Sequence, residues 1–382
     1  MSTIEAGIAP LFRPIELAGC QVPNRIVMAP MTRGFVQEYG VLAESAVDYY
    51  RRRAEGGIGL ILTEGIATSD LATQHARVPM IDGESALAMW VRVVGAVHDA
   101  GARIMAQLWH TGLGRNREKS LDPSLLSVGP MDEFLVPSST LVEKGGNHLP
   151  GRAMTLKDIE DTILEFGAAA AQARRAGFDG IQLHAAHGYL IDQFFWGESN
   201  RREDHYGGGI AARTRFAVDI IQEIRHQAGP DFPIGLRFSQ WKLPAHYQVK
   251  AWESVYELET FLNPLIDAGV DFFDASTRRY WEAEFRGSEL SLAAWTKKLS
   301  GRPTISVGSV GLAGVFEPYN RTSTAQPESD LSRIVSMIER DEVDMVGVGR
   351  ALLTNPDWVN KIRDGAYSEL KPYTPAALAD HW

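Results

Sequence analysis

The chain carries one cysteine, Cys20, among 382 residues. That excludes an internal disulfide and an iron-sulfur cluster held by its own thiolates, and it suits a reducing compartment. Nowhere do about 18 uncharged apolar residues run together, the length a membrane-spanning helix needs. The opening MSTIEAGIAPLFRPIELAG lacks a basic region followed by an unbroken apolar run, so no secretory signal is expected there. Basic residues are the minority, 38 against 48 acidic ones, and they gather into no patch. The formal charge of -10 therefore repels nucleic acid and anionic lipid. The expectation is a cytoplasmic protein with no nucleic-acid and no membrane partner.

At 45% hydrophobic and 23% charged residues, the composition is that of a globular protein with a core. Eight short apolar, β-branched runs recur along it: Arg25 to Met31, Leu60 to Thr63, Arg103 to Leu108, Gly180 to Leu183, Pro233 to Phe238, Asp271 to Ala275, Pro303 to Val307 and Val343 to Val348. Their near-continuous apolarity suits strands covered on both faces, as in a parallel sheet. Helical spacing fills the gaps at Ala43 to Ala54, Leu87 to Ala100, Ala212 to Gln227, Glu253 to Ala268, Leu331 to Arg340 and Asp357 to Arg363, and more weakly at Leu290 to Leu299. Thr155 with Asp158 forms a capping box ahead of the stripe Ile159, Ile163, Phe166, Ala170 and Ala173. Eight β-α units predict a (β/α)8 barrel. A doubly wound sheet would want GxGxxG after its first strand, and APMTRG is not that. Extra length collects in a hairpin-like segment, Pro14 to Arg25, in a loop after strand three, Thr111 to Gly151, and in Arg278 to Glu289. No linker divides the chain, so residues 1–382 are read as one domain.

A barrel of this kind keeps its chemistry at the carboxyl ends of its strands. Three carboxylates on neighbouring strand ends, as a Mg²⁺ enolising site needs, are missing, and no lysine sits at a strand end for a Schiff base; Lys242 comes closest. His184 and His187 have only His110 as a third candidate metal ligand, which weakens a metal site. Gly308-Ser309 after strand seven and Gly349-Arg350 after strand eight suit a phosphate held by backbone N–H groups; the bland alternative is two tight turns. Gln107 and Arg237 end buried strands. Gln offers a donor and an acceptor, as a flavin pyrimidine edge requires, and Arg could neutralise charge near flavin N1; either could instead satisfy a loop or a carboxylate such as Asp274. In HAAHGY, two imidazoles and the phenol of Tyr189 could converge to polarise a carbonyl and deliver a proton. By itself that motif favours two structural histidines capping loops; beside the phosphate signals and Gln107 the functional reading leads.

Together these residues resemble the Old Yellow Enzyme family of FMN-dependent ene-reductases. The resemblance runs from LFRPIELAGCQVPNRIVMAPMTR through AQLWHTG and HAAHGYLIDQFFWGESNRREDHYGG to ISVGSVG and DMVGVGRALLTNPDW. It implies FMN as cofactor and NADPH or NADH as reductant. It also implies hydride transfer through flavin N5 to the β-carbon of a small activated alkene, an α,β-unsaturated carbonyl or nitro compound. Ala29, Pro30, Met31 and Thr32 would line the flavin, and Gly65 would bring backbone near its ring. Gln107 and Arg237 would hold the pyrimidine side, and Gly308, Ser309, Gly349 and Arg350 the phosphate. His184 and His187 would bind the substrate oxygen, with Tyr189 as proton donor. Thr32 replaces the cysteine of one branch, His187 the asparagine of another, and Gly65 the bulkier residue often found there, leaving more room beside the flavin. Asn200, Arg202, Asp204 and Tyr206 read as a hydrogen-bonded loop bracing HAAHGY from behind. Trp109, Trp196 and Trp241 either shape the pocket or pack in the core, and Tyr280 and Trp281 either border the pocket or cover the barrel. Rival readings are a flavin barrel related to amine dehydrogenases or dienoyl-CoA reductases, and a non-enzymatic flavin or phosphate-ligand carrier. His381-Trp382 is a candidate contact in a homo-oligomer.

Overall fold

The computed structural model describes residues 6–133, 151–242, 249–314 and 324–378. Eight strands close into a barrel: β1 Ile26–Met28, β2 Leu60–Ala67, β3 Arg103–Trp109, β4 Ile181–His184, β5 Ile234–Phe238, β6 Phe272–Ser276, β7 Thr304–Val307 and β8 Met345–Val348. Each pairs in parallel with its successor, and β8 pairs with β1. A helix follows every strand: α1 Ser45–Glu55, α2 Glu84–Asp99, α3 Leu156–Arg175, α4 Arg215–Ala228, α5 Val255–Asp267, α6 Leu292–Ser300, α7 Ser332–Glu339 and α8 Trp358–Arg363. This is the (β/α)8 barrel that the eight runs predict. Every residue of β4 to β8 is buried, because inward side chains fill the barrel while outward ones meet the helices.

The predicted cap of α3 is present: Thr155 Oγ1 accepts from the Asp158 N–H at 3.2 Å, and Asp158 Oδ2 accepts from the Thr155 N–H at 2.7 Å. Such a cap is worth about 1 kcal/mol. It starts the helix at one residue and so fixes which stripe, from Ile159 to Ala173, faces the barrel. The strand predicted at Leu60 to Thr63 runs on to Ala67. Its pairing with β3 shifts register between Leu62 and Gly65, and at that bulge the Gln107 N–H donates to Thr63 Oγ1 at 3.0 Å. Reading Glu64-Gly65 as the strand end misses this, because the interruption lies in the register and not in the chain direction.

The N-terminal segment is the expected hairpin, Ile15–Leu17 against Cys20–Val22, turning through Ala18 and Gly19, both at positive φ. Leu17 and Val22 pack against Val27, Leu60, Leu62, Met105, Phe272, Ile305 and Met345, closing the barrel floor. The loop after β3 holds short 3₁₀ turns at Gly112–Gly114 and Arg117–Lys119 and a two-residue pairing of Val128–Gly129 with Arg152–Ala153. After β6, Tyr280 and Phe285 join the core and Trp281 packs on it, so these aromatics cover the barrel; of that segment Arg278 reaches the mouth. His381 and Trp382 lie outside the described residues. No helix among the described residues is long and apolar enough to cross a membrane.

Candidate active site

A cavity of about 390 Å³ opens at the carboxyl ends of the strands. Ala29, Pro30, Met31 and Thr32 follow β1; Gln107 and Trp109 belong to β3; His184, His187 and Tyr189 come from the end of β4. Arg237 and Trp241, then Ser276, Thr277 and Arg278, complete the next two sectors, while Gly308, Ser309, Gly349 and Arg350 occupy the last two. Thus every expected site residue lines one space except Gly65. The extra room expected at Gly65 does not exist: a Cβ there would fall 2.4 Å from Trp109 Cε3, because that indole fills it.

The turn carrying the imidazoles is strained and tightly held. His187 has φ 63 and Gly188 φ 79, the left-handed region where a non-glycine residue costs of order 1 kcal/mol or more. A set of side-chain hydrogen bonds holds it. The His187 N–H donates to Ser239 Oγ at 2.9 Å, and the Gly188 N–H to Asp192 Oδ2 at 2.6 Å. Lys242 Nζ, wholly buried, then pairs with Asp192 Oδ1 at 2.7 Å and donates to the Ser239 carbonyl at 2.8 Å. The loop after β5 therefore clamps the loop after β4. Behind them Asn200 Nδ2 donates to the Phe194 and Tyr206 carbonyls, both at 2.8 Å, and Arg202 joins Asp204 at 2.6 Å while donating to the Pro130 and Met154 carbonyls. None of Asn200, Arg202, Asp204 and Tyr206 lines the cavity. Among the tryptophans, Trp109 and Trp241 line it and Trp196 does not.

On this turn the His184 and Tyr189 rings lie 5.0 Å apart, and His184 and His187 5.2 Å apart, edge to face. Trp109 lies parallel to His184 at 5.9 Å, and Trp241 stacks on His187 at 4.2 Å. Burial, followed by the Arg237 guanidinium, holds the His184 pKa well below its usual value. His187 is held down by burial, then by His184, Arg237 and Lys242. Both are neutral imidazoles at pH 7, each with a single N–H to give. His110, by contrast, turns Nδ1 to the Gly112 N–H at 3.0 Å, outside the cavity lining.

Below the opening runs a directed chain. Asp274 Oδ2 accepts from Gln182 Nε2 at 2.9 Å, and Gln182 Oε1 accepts from Gln107 Nε2 at 2.7 Å. A carboxylate can only accept, so it orients Gln182, which in turn orients Gln107 with its amide oxygen turned from Gln182. Arg237 lies 3.5 Å from Asp274, the carboxylate its bland reading named, yet its Nε is buried without a hydrogen-bond partner among the described residues and the side chain still lines the cavity. The carboxylate reading holds at this side chain, which also stands at the cavity wall.

The two glycine corners differ. Gly308 has φ 147, and a Cβ there would meet the Thr277 carbonyl at 2.7 Å, so protein geometry alone demands glycine. A Cβ at Gly349 would meet nothing closer than Met31 Sδ at 3.7 Å. Nothing in the protein requires that glycine, and its open side faces the cavity. Arg237, Arg278 and Arg350 line the same space, with no carboxylate among the described residues that line it. In a chain of net charge -10 this local excess of cations suits an anionic ligand. An orphaned guanidinium nitrogen, an oriented amide and an open glycine corner fit FMN.

A barrel with such a mouth defines a flavin-dependent oxidoreductase class, and the comparisons agree. Residues 10–369 match the NADH:flavin oxidoreductase / NADH oxidase family. The NADH oxidase of Thermoanaerobacter brockii is 32% identical over 370 residues, 94% of this chain but 52% of that protein, so the chain spans about half of that relative's length. Aldehyde reductase FrzD of Cladobotryum sp is 31% identical over 373 residues, covering 96% of this chain and 91% of that one. The Old Yellow Enzyme from Pichia sp. AKU4542 superposes with a TM-score of 0.78 at 26% identity, covering 97% and 90% of the two chains. The chain belongs to the NADH:flavin oxidoreductase / NADH oxidase family, that of Old Yellow Enzyme. Its cofactor is FMN and its reductant NAD(P)H.

Sequence reasoning passed over Ser276, Thr277, Tyr373 and Leu378 as lining residues, and Asp192 with Lys242 as the clamp. Ser276 and Thr277 directly follow the apolar run Asp271 to Ala275, where a barrel keeps its chemistry, and so carried a signal; Tyr373 and Leu378 reach the mouth from the C-terminal segment and carried none.

Proposed function

We propose that the protein is an ene-reductase that saturates the C=C bond of a small α,β-unsaturated carbonyl or nitro compound at the expense of NAD(P)H. The observation that carries this reading is the convergence of two neutral imidazoles and one phenol on one wall of a cavity that Arg237, Arg278 and Arg350 also line. FMN, when bound, would supply hydride chemistry toward the β-carbon, with NAD(P)H as the source of the electrons. His184 and His187 donate hydrogen bonds to the carbonyl or nitro oxygen and draw electron density toward it; neutral donors polarise without adding a fixed charge. Tyr189 protonates the α-carbon, so hydride and proton together give the saturated product.

In this reading Ala29, Pro30, Met31 and Thr32 border the isoalloxazine, and Gly65 acts indirectly by admitting Trp109. Gln107 and Arg237 serve its pyrimidine side, and Gly308, Ser309, Gly349 and Arg350 its phosphate. Two aromatic walls, Trp109 and Trp241, suit a flat substrate. That one relative is an aldehyde reductase by name supports a carbonyl as the activating group. The test is NAD(P)H oxidation by purified, FMN-loaded protein with 2-cyclohexenone or an unsaturated aldehyde. The expected product is the saturated carbonyl; an allylic alcohol, or oxidation indifferent to the alkene, would overturn the reading.

A further inference from the structure

Ser276 ends β6, is 3% exposed and lines the cavity. Its hydroxyl has two partners among the described residues: Arg237 Nη2 at 3.2 Å and His187 Nε2 at 2.8 Å. A guanidinium only donates, so the serine oxygen accepts from Arg237. The hydroxyl proton then has one partner that can accept it, the His187 Nε2 lone pair. Leaving that O–H unpaired in so buried a position would cost about 1–3 kcal/mol. A neutral imidazole carries one N–H, so an accepting Nε2 puts the proton on Nδ1. His187 is neutral because it is buried among three other basic groups, His184, Arg237 and Lys242.

We propose that Ser276 is a positioning residue that fixes His187 as its Nδ1–H tautomer and thereby makes it a hydrogen-bond donor to the substrate oxygen. The inference deepens the ene-reductase reading and rests on it for the identity of that oxygen. Polarity starts at Arg237, which cannot accept, and passes through one hydroxyl to one ring. The opposite tautomer would set a lone pair against the oxygen and repel it. Ring placement supports the same direction. Trp241 covers one face of His187 and anchors the serine by donating from Nε1 to the Ser276 carbonyl at 3.2 Å. The His187 N–H to Ser239 Oγ bond fixes the backbone from which the ring projects. Nδ1 has no hydrogen-bond partner among the described residues.

The experiment is long-range ¹H–¹⁵N NMR on FMN-loaded protein labelled at histidine, at neutral pH without substrate, with the His187 signals identified by their loss in His187→Asn. Protonated Nδ1 and unprotonated Nε2 are expected in the native protein. Ser276→Thr keeps that pattern, whereas Ser276→Ala shifts it to Nε2–H or a mixture and raises the KM for 2-cyclohexenone about tenfold, the scale of one hydrogen bond to a polar ligand. An Nε2–H signal in the native protein, or a tautomer unmoved in Ser276→Ala, overturns the proposal. The native spectrum decides even if the alanine variant fails to fold. Nδ1–H in a protein that reduces no alkene would support the tautomer while refuting the activity, so the two failures are distinguishable.

Discussion

Gly308 and Gly349 sit at equivalent corners of adjacent strands, and exchanging each for alanine separates a glycine needed by the fold from one needed by the ligand. Gly308→Ala puts a Cβ 2.7 Å from the Thr277 carbonyl oxygen at φ 147. Such a backbone costs about 1–3 kcal/mol for a residue with a side chain, and the clash adds to it. The apoprotein should therefore lose a few kcal/mol of unfolding free energy. At Gly349 the backbone is ordinary and the added Cβ meets no atom within 3.7 Å. The apoprotein should keep its stability or gain about 0.4–1 kcal/mol from a less flexible unfolded chain. Yet the methyl group stands where a phosphate would approach, and losing one charge-assisted hydrogen bond, about 1.5–3 kcal/mol, weakens FMN binding by about 10- to 100-fold. Urea unfolding of the two apoproteins and titration of each with FMN, followed by quenching of flavin fluorescence, measure both effects. Native FMN affinity in a folded Gly349→Ala protein would refute the phosphate assignment; native stability in Gly308→Ala would refute the strain argument.

Lys242→Met leaves Asp192 buried without its cation, and removing one partner of such a pair costs about 3–5 kcal/mol. The urea midpoint should fall accordingly and alkene reduction with it, while Lys242→Met combined with Asp192→Asn recovers part of the stability; a lone Lys242→Met within 1 kcal/mol or so of the native protein would contradict the clamp. Glu64 is fully buried, accepts from the Arg33 and Gly34 N–H groups, and is pushed up to about 7 chiefly by burial. Between about pH 4.5 and 7 the folded protein keeps a proton that the unfolded chain has lost, so stability falls as pH rises through that window, by at most about 3 kcal/mol. Unfolding measured from pH 5 to 8 should show this slope in the native protein and not in Glu64→Gln. Tyr189→Phe should slow alkene-dependent reoxidation far more than reduction by NADPH in stopped-flow absorbance, and equal slowing of both would remove the phenol from its role.

The strands were legible because a parallel barrel buries them on both faces, which leaves near-continuous apolar runs that no solvent-facing strand would show. HAAHGY was legible as a site because Gly188 allows a sharp return within three residues, a local property. What escaped was what depends on distance along the chain. Lys242 was dismissed as lying too far beyond β5, yet its partner Asp192 is 50 residues away and meets it across two loops. Gly65 looked like an opening because a missing side chain says nothing about which neighbour moves in, and Trp109 does. Ser276 was not singled out, since its importance lies in two bonds of fixed polarity that the sequence cannot orient.

The hairpin beneath the barrel has a consequence for handling the protein. Leu17 and Val22 cap the lower end of a packed interior, so trimming or proteolytic nicking upstream of Ile26 would bare the apolar layer of Val27, Leu60, Leu62, Met105, Phe272, Ile305 and Met345 to water from below.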